Sequence, residues 1–446
     1  MLPPVPAVVA PAPIVVTERP LTYAQMQAKA AAWKRRYPGL VHETALGKTA
    51  EGRPIPIFRL SDDAAPNASE PGILIVAGIH ARESQPPQCL LWLADELLRG
   101  YGTNPRFTKL LRTRQIYLVP VLNVDGKVYD ETAVPGRDWR KNRRTISGTD
   151  NVGIDLNRNF PVRFGGFRDL DTTWRDTTTN PAGNIYEGTA PLSEPESRAL
   201  ANFVFDHRAE LRLFVDFHSP LRKVITPVYV FGADAARYKT LTDGIVSRQT
   251  DKPYAVTKLV SDADPKPGSR PSNTGLSYTY AYYVAGVYAL NLEIGGRGKV
   301  SATESVDGDA DLLPKHYPPA ESIRAEYDAN IREPFLFLLD AAAGLPTSAP
   351  GNVRVTAAVT DVPATSGATV QWTPTLSGDA AYAVLTCDSP AVVVQSEIRR
   401  APIASGYTIK IAENIAPGTV VALRLSVWDN NRRVTHCLVP LVVAPK

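Results

Sequence analysis

A chain of 446 residues with 44% hydrophobic and 21% charged side chains has the composition of a folded globular protein with room for two or three domains. Its formal charge of +4, from 49 basic against 45 acidic residues, is too small and too evenly spread to argue for a nucleic-acid partner. No apolar run approaches the roughly 18 to 20 residues needed to span a bilayer, and three cysteines (Cys89, Cys387 and Cys437) are too few for a disulfide scaffold and lack zinc-finger spacing.

Residues 1–16, rich in Pro, Ala and Val, lack the basic start and unbroken apolar core of a secretory signal and read as an extended N-terminal arm. Over residues 17–345 short β-rich runs alternate with longer helical ones, which predicts an α/β domain. Helices are expected at Leu21–Tyr37, Pro87–Leu98, Glu194–His207, Ala236–Gln249, Gly275–Val284 and Ala320–Leu339. Strands are expected at Val41–Leu46, Pro54–Leu60, Ile73–Ile79, Gln115–Val121, Leu213–Phe217, Val224–Phe231 and Tyr288–Ile294. Several of these are continuously apolar, as strands covered on both faces are. Cys89, in the apolar stretch Gln88–Leu98, reads as a buried thiol.

The character changes after Leu345, where Pro346-Thr-Ser-Ala-Pro-Gly351 marks a break. Short alternating runs at Val353–Val359, Ala368–Trp372, Tyr382–Cys387, Tyr407–Ile411, Val420–Trp428 and Cys437–Val443 predict a small all-β sandwich domain over residues 346–446. With no His/Glu cluster and no Gly-rich loop, it reads as an accessory module whose ligand is unknown. Cys387 and Cys437 either pair as a disulfide or stand as two buried thiols.

The apolar run Ile73–Ile79 ends in His80-Ala81-Arg82-Glu83, a nitrogen and a carboxylate spaced to suit zinc. A catalytic zinc site uses three protein ligands and one open position, so a third ligand is needed. Leu213-Phe214-Val215-Asp216-Phe217 ends in His218, and sites in open α/β sheets collect beyond the carboxyl ends of strands. A third strand end carries Glu293, a carboxylate costly to bury without a task, and able to act as general base and acid toward a water molecule. His42, His207, His316 and His436 do not stand at strand ends and read as surface or packing residues. Between these points lie Trp139-Arg140-Lys141-Asn142-Arg143-Arg144 and Asp155-Leu156-Asn157-Arg158-Asn159-Phe160. The guanidinium fork suits carboxylates and oxyanions, which adds to the metal candidates the remaining parts of a peptide-tail hydrolase.

The ordered set Gly52-Arg53-Pro54, Gly78-Ile79-His80-Ala81-Arg82-Glu83, Leu122-Asn123-Val124-Asp125-Gly126, Trp139–Arg143, Asp155–Phe160, Tyr186-Glu187-Gly188, Ser193-Glu194-Pro195-Glu196, His218-Ser219 and Glu293 resembles the zinc metallocarboxypeptidase family, the funnelins, over Leu21–Leu345. The resemblance implies a mixed, twisted eight-stranded sheet flanked by helices, and hydrolysis of a C-terminal peptide bond by a metal-activated water. It implies one Zn2+ held by His80, Glu83 and His218, with Glu293 as general base and acid and Arg140 polarising the scissile carbonyl. Asn157 and Arg158 would bind the substrate's free carboxylate, and Asp155 would orient the first histidine. Ser219-Pro220 falls where the family has a cis peptide bond.

The resemblance also implies a secreted or periplasmic enzyme acting on peptide or protein tails. No inhibitory pro-domain is expected, because the first helix begins near residue 21. Two positions depart from the pattern. The family's mobile tyrosine would fall on Pro271, with Tyr278 and Tyr280 the nearest candidates, and Ser261–Thr274 reads as remodelled. The specificity position falls near Tyr278, with no acidic residue beside it in sequence. Arg222 and Lys223 either favour acidic tails or form a solvated loop. Two other readings are an amidohydrolase on the same scaffold, acting on bacterial cell-wall peptides or N-acyl amino acids, and an inactive enzyme-like binding protein.

Overall fold

The apolar runs of the first 300 residues become neighbouring strands of one sheet. The computed structural model describes residues 19–162, 164, 179–227, 230, 232–258, 275–295, 316–347, 364–376, 380–387, 389, 391–394, 399–400, 403, 406–429 and 434–444. Strands β1 (Val41–Lys48), β2 (Pro54–Leu60), β3 (Gly72–Ala77), β4 (Gln115–Val119), β5 (Leu211–His218), β6 (Lys223–Thr226), β7 (Ala255–Lys258) and β8 (Tyr288–Glu293) form an eight-stranded sheet in the order 1-2-4-3-5-8-6-7. The central strands β4, β3, β5 and β8 run parallel, while β2 and β6 join them antiparallel, so the sheet is mixed. All of β3 is buried, which is why its sequence does not alternate. The helices Gln85–Gly100 and Ser277–Tyr283 pack against these central strands.

Local chemistry sets the element ends. Thr22 and Gln25 form a reciprocal capping box that starts the helix Tyr23–Arg36. The helix Pro105–Thr113, not anticipated from the sequence, starts where Asn104 Oδ1 accepts from the N–H groups of Arg106 and Phe107. The strand expected over Val224–Phe231 stops at Thr226, just before Pro227, which has no N–H for a ladder. The helix expected over Ala320–Leu339 is divided into Ala320–Glu326, a π-turn at Tyr327–Ile331 and Arg332–Ala341. Pro334 cannot donate to the carbonyl of Asn330, which instead accepts from Gln249 Nε2 at 3.2 Å.

Among the described residues eight further strands follow: β9 (Ala364–Thr365), β10 (Thr369–Trp372), β11 (Ala380–Cys387), β12 (Val392–Val394), β13 (Arg399–Arg400), β14 (Tyr407–Ile411), β15 (Val420–Asp429) and β16 (Val434–Ala444). They form two sheets, β10-β14-β12 and β13-β11-β15-β16-β9. Trp372, Val394 and Ile409 of the first share one apolar cluster with Leu385, Leu423 and Leu441 of the second. The arm at residues 1–16 and the run Val353–Val359 lie outside the described residues.

The disulfide alternative for Cys387 and Cys437 does not hold, because both are free thiols and only Cys387 is buried. Cys387 on β11 and Cys437 on β16 stand on opposite sides of β15, paired with Leu423 and Leu425 respectively. Two strand spacings are roughly 9–10 Å, beyond the roughly 7 Å of Cα separation that a disulfide bridges. Cys89 is buried.

The larger C-terminal sheet is fastened to the main body. Trp428 Nε1 donates to the carbonyl of Tyr283 at 2.9 Å, which satisfies an acceptor at the end of the Ser277–Tyr283 helix. The Arg424 guanidinium lies 3.9 Å over the Phe205 ring, and its NH1 donates to Tyr280 Oη at 3.4 Å. Trp428 and Val434 join the main apolar core. Among the described residues no helix is long and apolar enough to cross a membrane.

Replacing Trp428 by Phe removes the indole N–H and leaves both a gap and an unpaired carbonyl. The expected cost is about 2–4 kcal/mol, measured as a lower denaturant midpoint with an unchanged slope.

Candidate metal centre

Parallel pairing brings the carboxyl ends of β3, β5 and β8 to one edge of the sheet. After Ala77 the chain turns sharply at Gly78, whose φ is +61° and whose missing Cβ would meet Val121 Cα at 2.9 Å. Leu122 and Asn123 donate their N–H groups to the carbonyls of Ala77 and Gly78, tying the β3 and β4 exits together. One further turn, closed by Glu83 N–H to His80 O at 3.2 Å, brings His80 and Glu83 together. His218 ends β5 directly opposite Glu293, the last residue of β8.

Three of these side chains meet at one point. His80 Nδ1 is 2.6 Å from Glu83 Oε1, and His218 Nδ1 is 2.9 Å from Glu83 Oε2. One ligand atom from each of the three lies within 4.8 Å of the others, and all three residues are buried. Two imidazole nitrogens and one carboxylate are a donor set for zinc that leaves a position open. Burial alone pushes the Glu83 carboxyl up, but His80 and His218 hold it well below the usual carboxylate range. A cation in this place would supply that compensation directly.

The outer faces of both rings meet carboxylates. His80 Nε2 is 3.2 Å from Asp155 Oδ1, and His218 Nε2 is 2.8 Å from Asp216 Oδ1. Burial works against ionising Asp155, yet Arg140 and His80 hold it well below the usual range. Arg140 Nε and one terminal nitrogen each lie 2.9 Å from Asp155 Oδ2. The other terminal nitrogen is 4.0 Å from Glu83 Oε1. The Arg140 loop is itself held, by Ala81 N–H on the Arg140 carbonyl and Asn123 Nδ2 on the Lys141 carbonyl.

Glu293 adjoins this cluster. Its Oε2 is buried and has no hydrogen-bond partner among the described residues. Burial, with His218 and Arg140 opposing and Glu83 adding to it, pushes the Glu293 carboxyl up to about 7.

Asp155 also accepts from Asn157 N–H at 2.9 Å, capping the single 3₁₀ turn Leu156–Arg158 that carries both predicted tail-binding residues. Arg158 is partly exposed and donates to the Asn157 carbonyl. Asn157 is pinned on both sides of its amide: Oδ1 accepts from Ser277 N–H at 3.0 Å, and Nδ2 lies 3.1 Å from Asp216 Oδ2 and 3.0 Å from His218 Nε2. Gly275 lets the next segment approach, since a Cβ there would meet Arg158 O at 2.0 Å.

The remaining histidines are packing residues: His42 faces the Ser61 carbonyl, His207 stacks on Phe203, His316 contacts Asp138, and His436 contacts Ser426. Arg222 is engaged by Glu326 and the carbonyls of Asp251 and Lys252 and lies over Tyr254, so it does not offer a hook for acidic tails. Tyr278 and Tyr280 are fully buried in their helix, and Pro271 lies outside the described residues. The Ser219–Pro220 bond is cis. Asp216 and Ser277 were not anticipated as part of the site. The signal for Asp216 was present: a lone carboxylate in an apolar strand, two residues before His218 and therefore on the same face.

A sequence profile of the zinc carboxypeptidase family matches residues 26–332. The chain belongs to that family. Mouse carboxypeptidase A2 is 35% identical over 190 residues, covering 43% of this chain and 42% of the relative. Human mast cell carboxypeptidase A is 29% identical over 270 residues, covering 57% and 61%, and bovine carboxypeptidase B is 31% identical over 216 residues, covering 47% and 48%. The matched region thus spans about half the length of these curated relatives. Thrombin activatable fibrinolysis inhibitor superposes with a TM-score of 0.58 at 23% identity, covering 74% of this chain and 75% of that one. Carboxypeptidase A from Helicoverpa armigera gives 0.56 at 22% identity, covering 73% and 74%. At these identities the likeness is one of fold.

Metal analysis of the purified protein is expected to return one zinc per chain, and His218→Ala, which removes one of three donors, is expected to abolish stoichiometric binding.

Proposed function

We propose that the chain is a zinc metallocarboxypeptidase that hydrolyses the last peptide bond of peptide or protein tails. The observation that carries this reading is the convergence of His80, Glu83, His218 and Glu293 at the ends of adjacent strands, with the loop residue Arg140 beside them. His80, Glu83 and His218 would hold zinc, which would supply the Lewis acidity that acidifies a water molecule and polarises a carbonyl.

The chain's own residues divide the rest of the work. Glu293 takes a proton from the attacking water and delivers it to the amine nitrogen as the C–N bond breaks. Its unpartnered oxygen suits that task. Arg140, steadied by Asp155, balances negative charge gathering on the carbonyl oxygen. Arg158 grips the terminal carboxylate, with Asn157 beside it, and this grip selects the last bond over internal ones. Asp155 orients His80. Residues 17–345 form the catalytic domain and residues 346–446 a β-sandwich that packs on it. Secretion or periplasmic residence fits the peptide-tail chemistry.

Incubation with peptides of known sequence tests the reaction: release of a single C-terminal residue per turnover is expected. Cleavage confined to cell-wall peptides or N-acyl amino acids would instead mark an amidohydrolase on this scaffold. Glu293→Gln is expected to retain zinc while kcat falls by roughly 10²–10⁴-fold. A variant as active as the parent would remove Glu293 from the reaction.

The pH profile follows from the sign of the Glu293 shift. A general base must be ionised, so activity is present above its pKa and lost as pH falls through it. Burial places that value at about 7 without metal, and a divalent cation in the adjoining cluster lowers it. An acid limb in kcat/KM with its midpoint at or below about 7 is expected from initial rates over pH 4–9.

A further inference from the structure

We propose that Asp216 is a positioning residue that selects the metal-competent form of His218 and couples it to the tail-binding Asn157. The inference rests on the reading that His80, Glu83 and His218 hold zinc.

Alternation along β5 places Asp216 and His218 on one face. Asp216 is fully buried, and its Oδ1 lies 2.8 Å from His218 Nε2. A buried carboxylate oxygen is costly without a donor. It gains a partner when His218 carries its proton on Nε2, the one neutral tautomer that leaves the Nδ1 lone pair to a metal. In the opposite tautomer, with the proton on Nδ1 toward Glu83, Nε2 would accept from Asn157 Nδ2, which stands 3.0 Å away. Asp216 and Asn157 thus favour opposite proton positions on one ring, and the charge on Asp216 weights the balance toward the metal-binding form.

The second oxygen of Asp216 makes the link to the tail site. Oδ2 accepts from Ser277 Oγ and lies 3.1 Å from Asn157 Nδ2, while Ser277 N–H holds Asn157 Oδ1. When Nε2 donates to Asp216, the Asn157 N–H that pointed at the ring is released toward a tail carboxylate. Asp155 plays the corresponding part for His80 but is neutralised by Arg140. The hydrogen-bond donors on Asp216 Oδ2 are the neutral Ser277 and Asn157, so its charge acts through His218.

The test compares Asp216→Asn and Asp216→Ala with the parent and with Asp155→Asn by zinc affinity in chelator competition, by apo-protein melting, and by kcat and KM on a peptide substrate. Zinc affinity is expected to fall about 10- to 100-fold in both Asp216 variants, with Asn the milder. The apo melting temperature is expected to fall, least in Asp216→Asn, because Ser277 Oγ and Asn157 Nδ2 lose a buried charged acceptor. KM is expected to rise as well as kcat to fall, because Asn157 loses its anchor. Should Asp216 variants fail to fold, Ser277→Ala, which keeps the carboxylate but releases Oδ2, is expected to lower zinc affinity and raise KM in the same direction. Zinc affinity and KM within twofold of the parent in the folded variants would overturn the proposal. A parent protein that binds no zinc would overturn the metal reading instead.

Discussion

A carboxylate buried between two imidazoles is the constraint around which the molecule is arranged. Glu83 meets the Nδ1 atoms of His80 and His218, and the Ser219 N–H adds a further donor to Oε2 at 3.2 Å. Four carboxylates, Glu83, Asp155, Asp216 and Glu293, gather at this edge with the guanidinium groups of Arg140 and Arg158. When all are ionised, two negative charges stand in excess, the charge that a divalent cation cancels. The parallel run of β4, β3, β5 and β8 is what puts these groups on one side, and Gly78 and Asn123 shape the loops that close on them.

The helix Ser277–Tyr283 joins this centre to the rest of the chain. Its first residue is fixed by Asn157 and Asp216, and its last carbonyl by Trp428 of the C-terminal sheet. Every residue of the helix is buried. The larger C-terminal sheet therefore reaches the edge of the site through this helix, and it also touches Phe205 of the helix Pro195–Asp206.

Much of this was legible in the sequence because strands covered on both faces leave continuous apolar runs, and polar residues at their ends stand out. His80, His218 and Glu293 were found that way, and the structure brings all three strand ends together. Asp216 was missed because it lies inside such a run, where a carboxylate reads as an interruption until its neighbour across space is known. Ser277 was missed because no local pattern reports a contact with a residue 61 positions away. The division of the Ala320–Leu339 helix depended on Gln249 offering a donor from another element. The Cys387–Cys437 alternative failed on strand order: which strand lies between two others is a tertiary fact.

The metal centre is tested most directly by an anomalous-difference map at the zinc absorption edge from crystals of the purified protein. One strong peak is expected within coordination distance, about 2.0–2.2 Å, of His80 Nδ1, His218 Nδ1 and a Glu83 carboxylate oxygen. A protein crystallised with zinc in excess that shows no peak there, or shows its strongest peak elsewhere, would contradict it.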